Sequence, residues 1–285
     1  MVAPMQRLRD DLGRDVCLVR PPRRVVSLVP SDTYTLFALG CGERVVGRTA
    51  WCDRPVDAAA IPVVGGPKDV DVDAVLAQAP ELVIANQEEN TRPALERLAE
   101  RVPVLVSMPR RVGDAVAHVA RLARALDVAR APAVVELVRR GYALCAEAAP
   151  PPRRRAFVPI WMEPLMTMNA DTFGSDVLAA VGIGNAFDDR LRLYPLAADL
   201  GKAAAADPRG RDQRYPRVAP DEVARRAPDV VLLPDEPHAF SDADRAALAA
   251  AVPAPQHDVS GRDLFWYGAW TIEALPRLRA AAASW

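Results

Sequence analysis

An internal repeat constrains the fold of this chain more than any other feature of its sequence. Residues 73–83 read DAVLAQAPELV and residues 221–231 read DEVARRAPDVV, so an acid, a valine and Ala-Pro recur in the same register. Acidic loops follow both copies, QEEN at 87–90 and DEPH at 235–238. Asp at helix starts and Pro at helix ends are common in any βαβ protein, which is the alternative explanation. The shared register favours a pseudo-duplicated chain with two lobes.

Short apolar runs alternate with helical segments around each copy. Between residues 71 and 107 the order is helix, strand, helix, strand, and it recurs after residue 219. Strands separated by helices of 10–15 residues are typical of parallel βαβ units. Further strands are predicted at 24–29, 44–49 and 154–160, and further helices at 34–40, 112–126, 172–182 and from Gly268 onward. Residues 183–217 are predicted to be irregular, with 199–213 as a surface insertion.

Residues 130–149 are predicted to form one long helix that joins the two halves. Pro132 suits a first helical turn, and the prolines at 150–152 cannot continue a helix. On the exposed side, Glu136 and Arg140 are spaced to pair. The face expected to pack on protein is marked at helical spacing by Val134, Val138, Tyr142 and Cys145. An ordinary amphipathic helix inside a single domain is the alternative.

Length supports about two domains, at roughly 100–200 residues each. We predict an amino-terminal α/β lobe over residues 1–127, a connecting helix over 128–150 and a carboxyl-terminal α/β lobe over 151–285. The 36 basic and 37 acidic residues nearly cancel, so no nucleic-acid partner is predicted. No run approaches the roughly 20 apolar residues of a membrane span, so no membrane insertion is predicted.

The amino terminus lacks the apolar core and the cleavage site of a secretory signal. A cytoplasmic protein is therefore expected, or a periplasmic or cell-surface protein if an export signal has been removed. The four cysteines show no C-x-x-C spacing. His118 falls in a predicted helix and His257 in a predicted strand, and neither has a second histidine at zinc spacing. No metal site is predicted.

Nucleotide and hydrolase motifs are also missing. The glycines at 64–67 and 182–184 lack the strand, G-x-G-x-x-G and helix context of a dinucleotide site, and no G-x-x-x-x-G-K-[ST] is present. No G-x-S-x-G elbow occurs either. We therefore predict no cofactor and no enzymatic activity.

Six segments together resemble a known family. VVSLVPSDTYTLFALGCGERVVGRT, WCDRP and IPVVGGPKDVDVDAVLAQAPELVIANQEEN are similar to the first lobe of the helical-backbone (class III) substrate-binding proteins. WMEPLMTMNADTFGSDVLAAVG, RYPRVAPDEVARRAPDVVLLPDEPHAF and GRDLFWYGAW are similar to the second lobe. These segments cover most of residues 20–281. The family serves ABC importers for cobalamin, ferric siderophores and haem.

The resemblance implies a fold and two kinds of partner. The expected fold is α/β, with two Rossmann-like lobes joined by one rigid helix and the ligand in the cleft between them. The expected ligand is a small metal chelate, and an ABC permease is the second implied partner. In the family an acid at the tip of each lobe meets arginines of the permease, and the matching positions here are Asp73 and Asp221.

Loops at the carboxyl ends of the strands are expected to line the ligand site. From the first lobe these loops supply Ser31, Trp51, Cys52, Glu88 and Glu89, and from the second Trp161, Met162, Glu236, His238, Trp266 and Tyr267. Each residue alone is compatible with packing, but together they favour an aromatic site for a large flat ligand. His238 is a candidate metal ligand or a solvated side chain, and Cys52 a soft ligand or a buried thiol.

The predicted function is non-enzymatic binding of a metal chelate, with cobalamin or a ferric siderophore first and haem next. The chain would act in an ABC importer or as a cytoplasmic relative of one. A tetrapyrrole metal chelatase is one alternative, for which only Glu236 and His238 are available as a facing pair. A cytoplasmic corrinoid or haem carrier or sensor is the other.

Overall fold

The computed structural model describes residues 5–147 and 149–285. Within these residues ten strands are formed: β1 (Gln6–Arg9), β2 (Asp15–Leu18), β3 (Val25–Ser27), β4 (Val45–Arg48), β5 (Leu82–Asn86), β6 (Val104–Ser107), β7 (Arg154–Phe157), β8 (Ile183–Asn185), β9 (Val230–Pro234) and β10 (Gln256–Val259). The same residues form eleven α-helices: α1 (Pro30–Ala38), α2 (Val72–Ala77), α3 (Arg92–Ala99), α4 (Val112–Ala125), α5 (Pro132–Ala146), α6 (Phe173–Ala180), α7 (Leu196–Asp199), α8 (Pro220–Arg226), α9 (Asp242–Ala251), α10 (Gly261–Phe265) and α11 (Ala269–Ala282). Short 3₁₀ helices lie at Gly42–Arg44 and Val56–Ala60.

The chain divides into two compact units. Unit 1 contains the residues up to Pro109, Gly113–Ala146 and Tyr267–Ile272. Unit 2 contains Arg110–Val112, Glu147–Trp266 and Glu273–Trp285. The chain therefore returns to unit 1 for six residues near its end, which the sequence pattern does not reveal. The predicted domain boundaries at 127 and 150 stay a prediction.

Each unit is built on a four-stranded parallel sheet. The strand order is β4-β3-β5-β6 in unit 1 and β8-β7-β9-β10 in unit 2. Both orders read second, first, third, fourth along the chain, so the topologies are the same. The repeated motif covers α2 and β5 in one unit and α8 and β9 in the other, at equivalent places. The prediction of parallel βαβ units and of an internal duplication is confirmed.

Burial explains why these segments form strands. Every residue of β5 and β9 is buried, as expected for inner strands of a sheet that is covered on both faces. The helices beside them begin with sequence-encoded signals. The Asp71 carboxylate accepts a hydrogen bond from the Ala74 amide at the start of α2. Ser241 and Asp244 form a capping box at the start of α9.

The long helix α5 lies wholly in unit 1, and its buried face differs from the prediction. Residue 148, at the end of the predicted helix, lies outside the described residues. The buried residues are Val134, Leu137 and Gly141, whereas Tyr142 and Cys145 are exposed. A Cβ at Gly141 would lie 2.8 Å from Val116 and 2.9 Å from Ile272, so the helix packs through its glycine. Glu136 pairs with Arg139 rather than with the predicted Arg140.

Several short elements were not predicted. The hairpin β1–β2 precedes the first parallel strand, and the short helix α10 follows β10. Strand β8 and the four-residue helix α7 fall inside the stretch predicted to be irregular, and both are too short to show a pattern. The two 3₁₀ helices were not predicted either. Conversely, β7 ends at Phe157, three residues before the predicted end.

Candidate functional site

The polar loop after β5 is held in place by asparagine side chains of unit 1. Asn86 Oδ1 accepts hydrogen bonds from the amides of Glu88 at 2.7 Å and Glu89 at 3.2 Å. Asn90 Oδ1 accepts a hydrogen bond from the backbone amide of Asn86, and Asn90 Nδ2 donates one to the Leu28 carbonyl. The loop is therefore fixed at the carboxyl end of a central strand, with the Glu89 side chain exposed.

Ser31, Trp51 and Cys52 lie at the carboxyl ends of β3 and β4 in unit 1, but in different environments. Ser31 is buried in the first turn of α1. Trp51 is 70% exposed. The Cys52 thiol is fully buried, lies 3.2 Å from the Thr49 hydroxyl, and has its pKa raised by that burial. Trp51 is thus the side chain of this group that is open to a ligand, and Cys52 is a buried thiol.

A buried polar network, which we call the Asp32 network, was not predicted. The Tyr267 hydroxyl donates to Asp32 Oδ2 at 2.7 Å and lies 2.9 Å from the Ser107 hydroxyl. His118 Nε2 lies 2.7 Å from Asp32 Oδ1. Burial, and next the neighbouring Asp32 carboxylate, raise the pKa of Tyr267 well above its usual 10.0. Tyr267 was predicted to bind the ligand from the second lobe, but it belongs to unit 1 and its hydroxyl is occupied there.

The Asp32 network continues outward through a fixed arginine. Arg121 Nη2 lies 2.7 Å from His118 Nδ1, and its guanidinium also binds both carboxylate oxygens of Asp11. Because arginine only donates, His118 Nδ1 is the acceptor of that hydrogen bond. The ring hydrogen is therefore on Nε2, which donates a hydrogen bond to Asp32 Oδ1. The partners are far apart in sequence, 86 residues for Asp32 and His118 and 235 for Asp32 and Tyr267, so no local pattern could have indicated them.

Three rings form an aromatic group in unit 2, beyond the carboxyl ends of β7 and β9. The ring centroids of Trp161 and His238 are 5.2 Å apart, and those of His238 and Phe240 are 4.8 Å apart. Trp161 is 44% exposed, whereas Met162 packs against the core. His238 Nε2 is buried and lies 3.5 Å from the Asp244 carboxylate. Among the described residues no group of three or more His, Cys, Asp or Glu could hold a metal ion.

Glu236 and Trp266 are joined by Arg262 at the end of β9. Arg262 Nε lies 3.5 Å from Glu236 Oε2, and its guanidinium lies 5.0 Å from the centre of the Trp266 ring, which is buried. Burial raises the pKa of Glu236, although Arg262 opposes that shift. A Cβ at Gly261 would lie 2.4 Å from the Glu236 carbonyl oxygen, so the loop depends on a glycine at this position.

The two acids predicted to dock a permease are both exposed. Asp73 is 3.8 Å from Arg97 and its side chain is 89% exposed, whereas Asp221 pairs with Arg225 and is 70% exposed. Neither acid is the N-cap of its helix, contrary to the expectation from the sequence. The N-cap residue of α2 is Asp71, and that of α8 is Ala219. Their exposure keeps them available for a partner, and docking stays a prediction.

No helix in the described part of the chain combines the length and the apolar character needed to cross a membrane. Solved structures of periplasmic binding proteins share the fold of this chain. The periplasmic vitamin B12-binding protein of Vibrio cholerae matches with a TM-score of 0.70 and 18% identity, over 93% of this chain and 98% of that chain. The periplasmic heme-binding protein from Roseiflexus sp. RS-1 matches with a TM-score of 0.66 and 21% identity, over 91% of this chain and 97% of that one. The fold is therefore that of a two-lobed binding protein.

Sequence comparison gives the family. The profile of the periplasmic binding protein family matches residues 25–249, and the chain belongs to this family. The vitamin B12-binding protein of Pectobacterium carotovorum is 25% identical over 224 residues, covering 76% of this chain and 72% of that protein. The predicted family and α/β fold class are confirmed. Because the relatives are periplasmic binding proteins, the expected cytoplasmic localisation finds no support in them.

Proposed function

We propose that this protein binds a metal chelate, with a corrinoid such as cobalamin first and ferric siderophores or haem next, and performs no chemistry on it. The proposal is supported by the family and by relatives named vitamin B12-binding proteins. A solved Fe3+-hydroxamate transport protein of Saccharomonospora viridis shares the fold, with a TM-score of 0.66 and 21% identity over 97% of this chain and 98% of that one. By the same reasoning we propose the periplasm or the cell surface as the working location.

The observation that carries the proposal is a pair of exposed indoles. Trp51 is 70% exposed in unit 1 and Trp161 is 44% exposed in unit 2, and each follows the carboxyl end of a parallel strand. Ligands of α/β sheets bind outside these strand ends. An indole at such a place can cover the broad apolar face of a planar chelate.

The binding proposal is tested by calorimetric titration with cyanocobalamin, haem and a ferric hydroxamate. We expect Trp51→Ala and Trp161→Ala to weaken binding of the preferred chelate about tenfold, which corresponds to about 1.4 kcal/mol per indole. Tyr142→Ala is the matched control, because Tyr142 is a 49% exposed aromatic on α5. Equal affinity in the tryptophan variants and the control would remove the indoles from the site. If none of the three chelates binds the unaltered protein, the proposed function is wrong.

We further propose that Asp73 and Asp221 contact arginines of an ABC permease. Both carboxylates are exposed at the first turns of helices in equivalent places of the two units. In the double variant Asp73→Ala/Asp221→Ala, chelate affinity should stay unchanged while uptake into cells or permease-containing vesicles falls at least tenfold. Asp258→Ala is the control, because this acid is 74% exposed and ion-paired in unit 2. Uptake that persists in the double variant would exclude docking through these acids.

A further inference from the structure

An arginine-rich segment, residues 190–217 of unit 2, differs in charge from the rest of the chain. It contains seven basic residues and three acidic ones, a net charge of +4, whereas the whole chain carries −1. Two of the arginines are neutralised: Arg190 pairs with Asp199 and Glu222, and Arg214 pairs with Asp212. Among the described residues no carboxylate lies within 4 Å of the guanidinium groups of Arg192, Arg209, Arg211 and Arg217.

Two of these unpaired arginines share one aromatic ring. The guanidinium carbon of Arg211 lies 3.8 Å from the centre of the Tyr194 ring, and that of Arg192 lies 4.7 Å from the same point. Tyr194 is buried, and its hydroxyl donates to the Asp212 carbonyl at 2.6 Å. Two guanidinium groups fixed on one ring add their positive potentials, and that potential attracts an anion.

Hydrogen bonds to the backbone hold the two ends of this segment together. The Arg192 amide donates to the Gln213 carbonyl at 2.8 Å, and Gln213 Nε2 donates back to the Arg192 carbonyl at 3.1 Å. The Ala206 amide donates to the Tyr194 carbonyl at 2.7 Å. Arg211 Nε donates to the Pro208 carbonyl at 2.9 Å, which leaves both terminal nitrogens of that guanidinium for another acceptor.

An open cavity of about 420 Å³ is lined by Ala206, Asp207, Arg209 and Arg211, so it adjoins the Arg211 member of the pair. One acid, Asp207, also lines the cavity, and its Oδ1 accepts from the Arg209 amide at 2.8 Å. Arg192 Nε is shielded from solvent and has no hydrogen-bond partner. A single arginine already satisfies the two oxygens of a carboxylate by a bidentate contact. The N–H groups of several arginines therefore suit an anion with three or four oxygens better.

We propose that Arg192 and Arg211, which both contact the Tyr194 ring, form a binding site for a phosphate-type oxyanion together with Arg209, which shares the cavity with Arg211. The phosphate group has two conceivable sources. It is carried by the metal-chelate ligand, as in the phosphodiester of cobalamin, or it is free inorganic phosphate. Only the first source rests on the function proposed above.

The first arm of the test is a calorimetric titration of the full chain with inorganic phosphate at low ionic strength, with acetate as the carboxylate comparison. We expect saturable phosphate binding on the order of 1 mM and at least tenfold weaker acetate binding. Arg192→Gln and Arg211→Gln should each weaken phosphate binding about tenfold, and Arg225→Gln, an exposed arginine on α8, should leave it unchanged. Thermal melting of each variant checks that it is folded. Phosphate binding that is absent, matched by acetate, or retained in both variants would overturn the site.

The second arm distinguishes the sources with cobalamin and dicyanocobinamide, a corrinoid that lacks the phosphodiester. Arg192→Gln/Arg211→Gln should weaken cobalamin about tenfold and leave cobinamide unchanged if the ligand brings the phosphate. Loss of inorganic phosphate binding with unchanged cobalamin affinity would assign the site to free phosphate. If neither corrinoid binds the unaltered protein, the corrinoid proposal fails, while the phosphate titration still decides the oxyanion site.

Discussion

Units 1 and 2 share one strand order but carry different chemistry. In unit 1 a polar network is closed inward, where the His118 imidazole and the Tyr267 hydroxyl are buried and both hydrogen-bond to the buried Asp32 carboxylate. In unit 2 the half-exposed Trp161 ring lies against His238, and the arginine-rich segment follows β8. The duplication therefore preserved the sheet and left the loops free to diverge.

The difference follows from what each part of a βαβ unit must do. Inner strands such as β5 and β9 are buried along their whole length and are therefore almost entirely apolar, because helices cover both faces of the sheet. Loops at strand ends have no such requirement and are where function concentrates. We thus expect substitutions in the Asp32 network to reduce stability, and substitutions in the loops of unit 2 to reduce binding.

Removing the buried carboxylate should produce the largest effect on stability. Asp32→Ala leaves His118 and the Tyr267 hydroxyl without their buried acceptor, and each buried donor left unsatisfied costs about 1–3 kcal/mol. Asp244→Ala in unit 2 removes the N3 acid of a solvent-accessible capping box, leaves no buried donor unsatisfied, and should therefore cost much less. Urea denaturation of both variants measures the difference. Equal losses of unfolding free energy in the two variants would mean that the Asp32 network stabilises the fold no more than a surface interaction does.

Filling the glycine contact of α5 should have an intermediate effect. In Gly141→Ala the new Cβ meets Val116 and Ile272 at 2.8 and 2.9 Å, and overpacking of this kind costs about 1–3 kcal/mol. Gly113→Ala is the matched control in helix α4, because nothing lies within 4 Å of its new Cβ. That substitution should be neutral or stabilise by up to about 1 kcal/mol. The melting temperatures of the two variants should move in opposite directions, and a shared direction would contradict this packing.

Alkaline pH should reveal the buried tyrosine through a smaller effect. The folded state raises the pKa of Tyr267 above 10.0, so the neutral phenol is favoured by folding. This contribution is fully present below pH 10 and is lost as pH rises through the folded pKa. Tyrosinate absorbance should show an ionisation step that occurs only on unfolding, and Tyr267→Phe should remove this step. A Tyr267→Phe variant with the same alkaline titration curve as the wild type would contradict the burial.

The sequence predicted the elements with strong patterns and missed the contacts made across long separations. Apolar runs indicated β5 and β9, and the alternation of apolar and polar residues indicated the helices beside them, whereas the capping residues Asp71 and Ser241 emerged only from the structure. The buried face of α5 was misplaced because Gly141 carries no apolar signal, although it makes the closest approach to its neighbours.

The sequence indicated only part of the candidate site. Trp51 and Trp161 were identified from their places after strands. The partners of Tyr267 were not, because its contact with Asp32 spans 235 residues. The arginine pair around Tyr194 was missed for the same reason, since Arg192 and Arg211 come from opposite ends of an irregular segment.

The most direct test of the central claim is a thermal-shift panel of cyanocobalamin, haem and ferric siderophores on the unaltered protein. A chelate present at 100 times its dissociation constant adds about 2.7 kcal/mol to the free energy of unfolding. For a chain of this length we therefore expect one member of the panel to raise the melting temperature by several degrees, and its apo-ligand without metal to have a smaller effect. A melting temperature that no metal chelate changes would contradict the account.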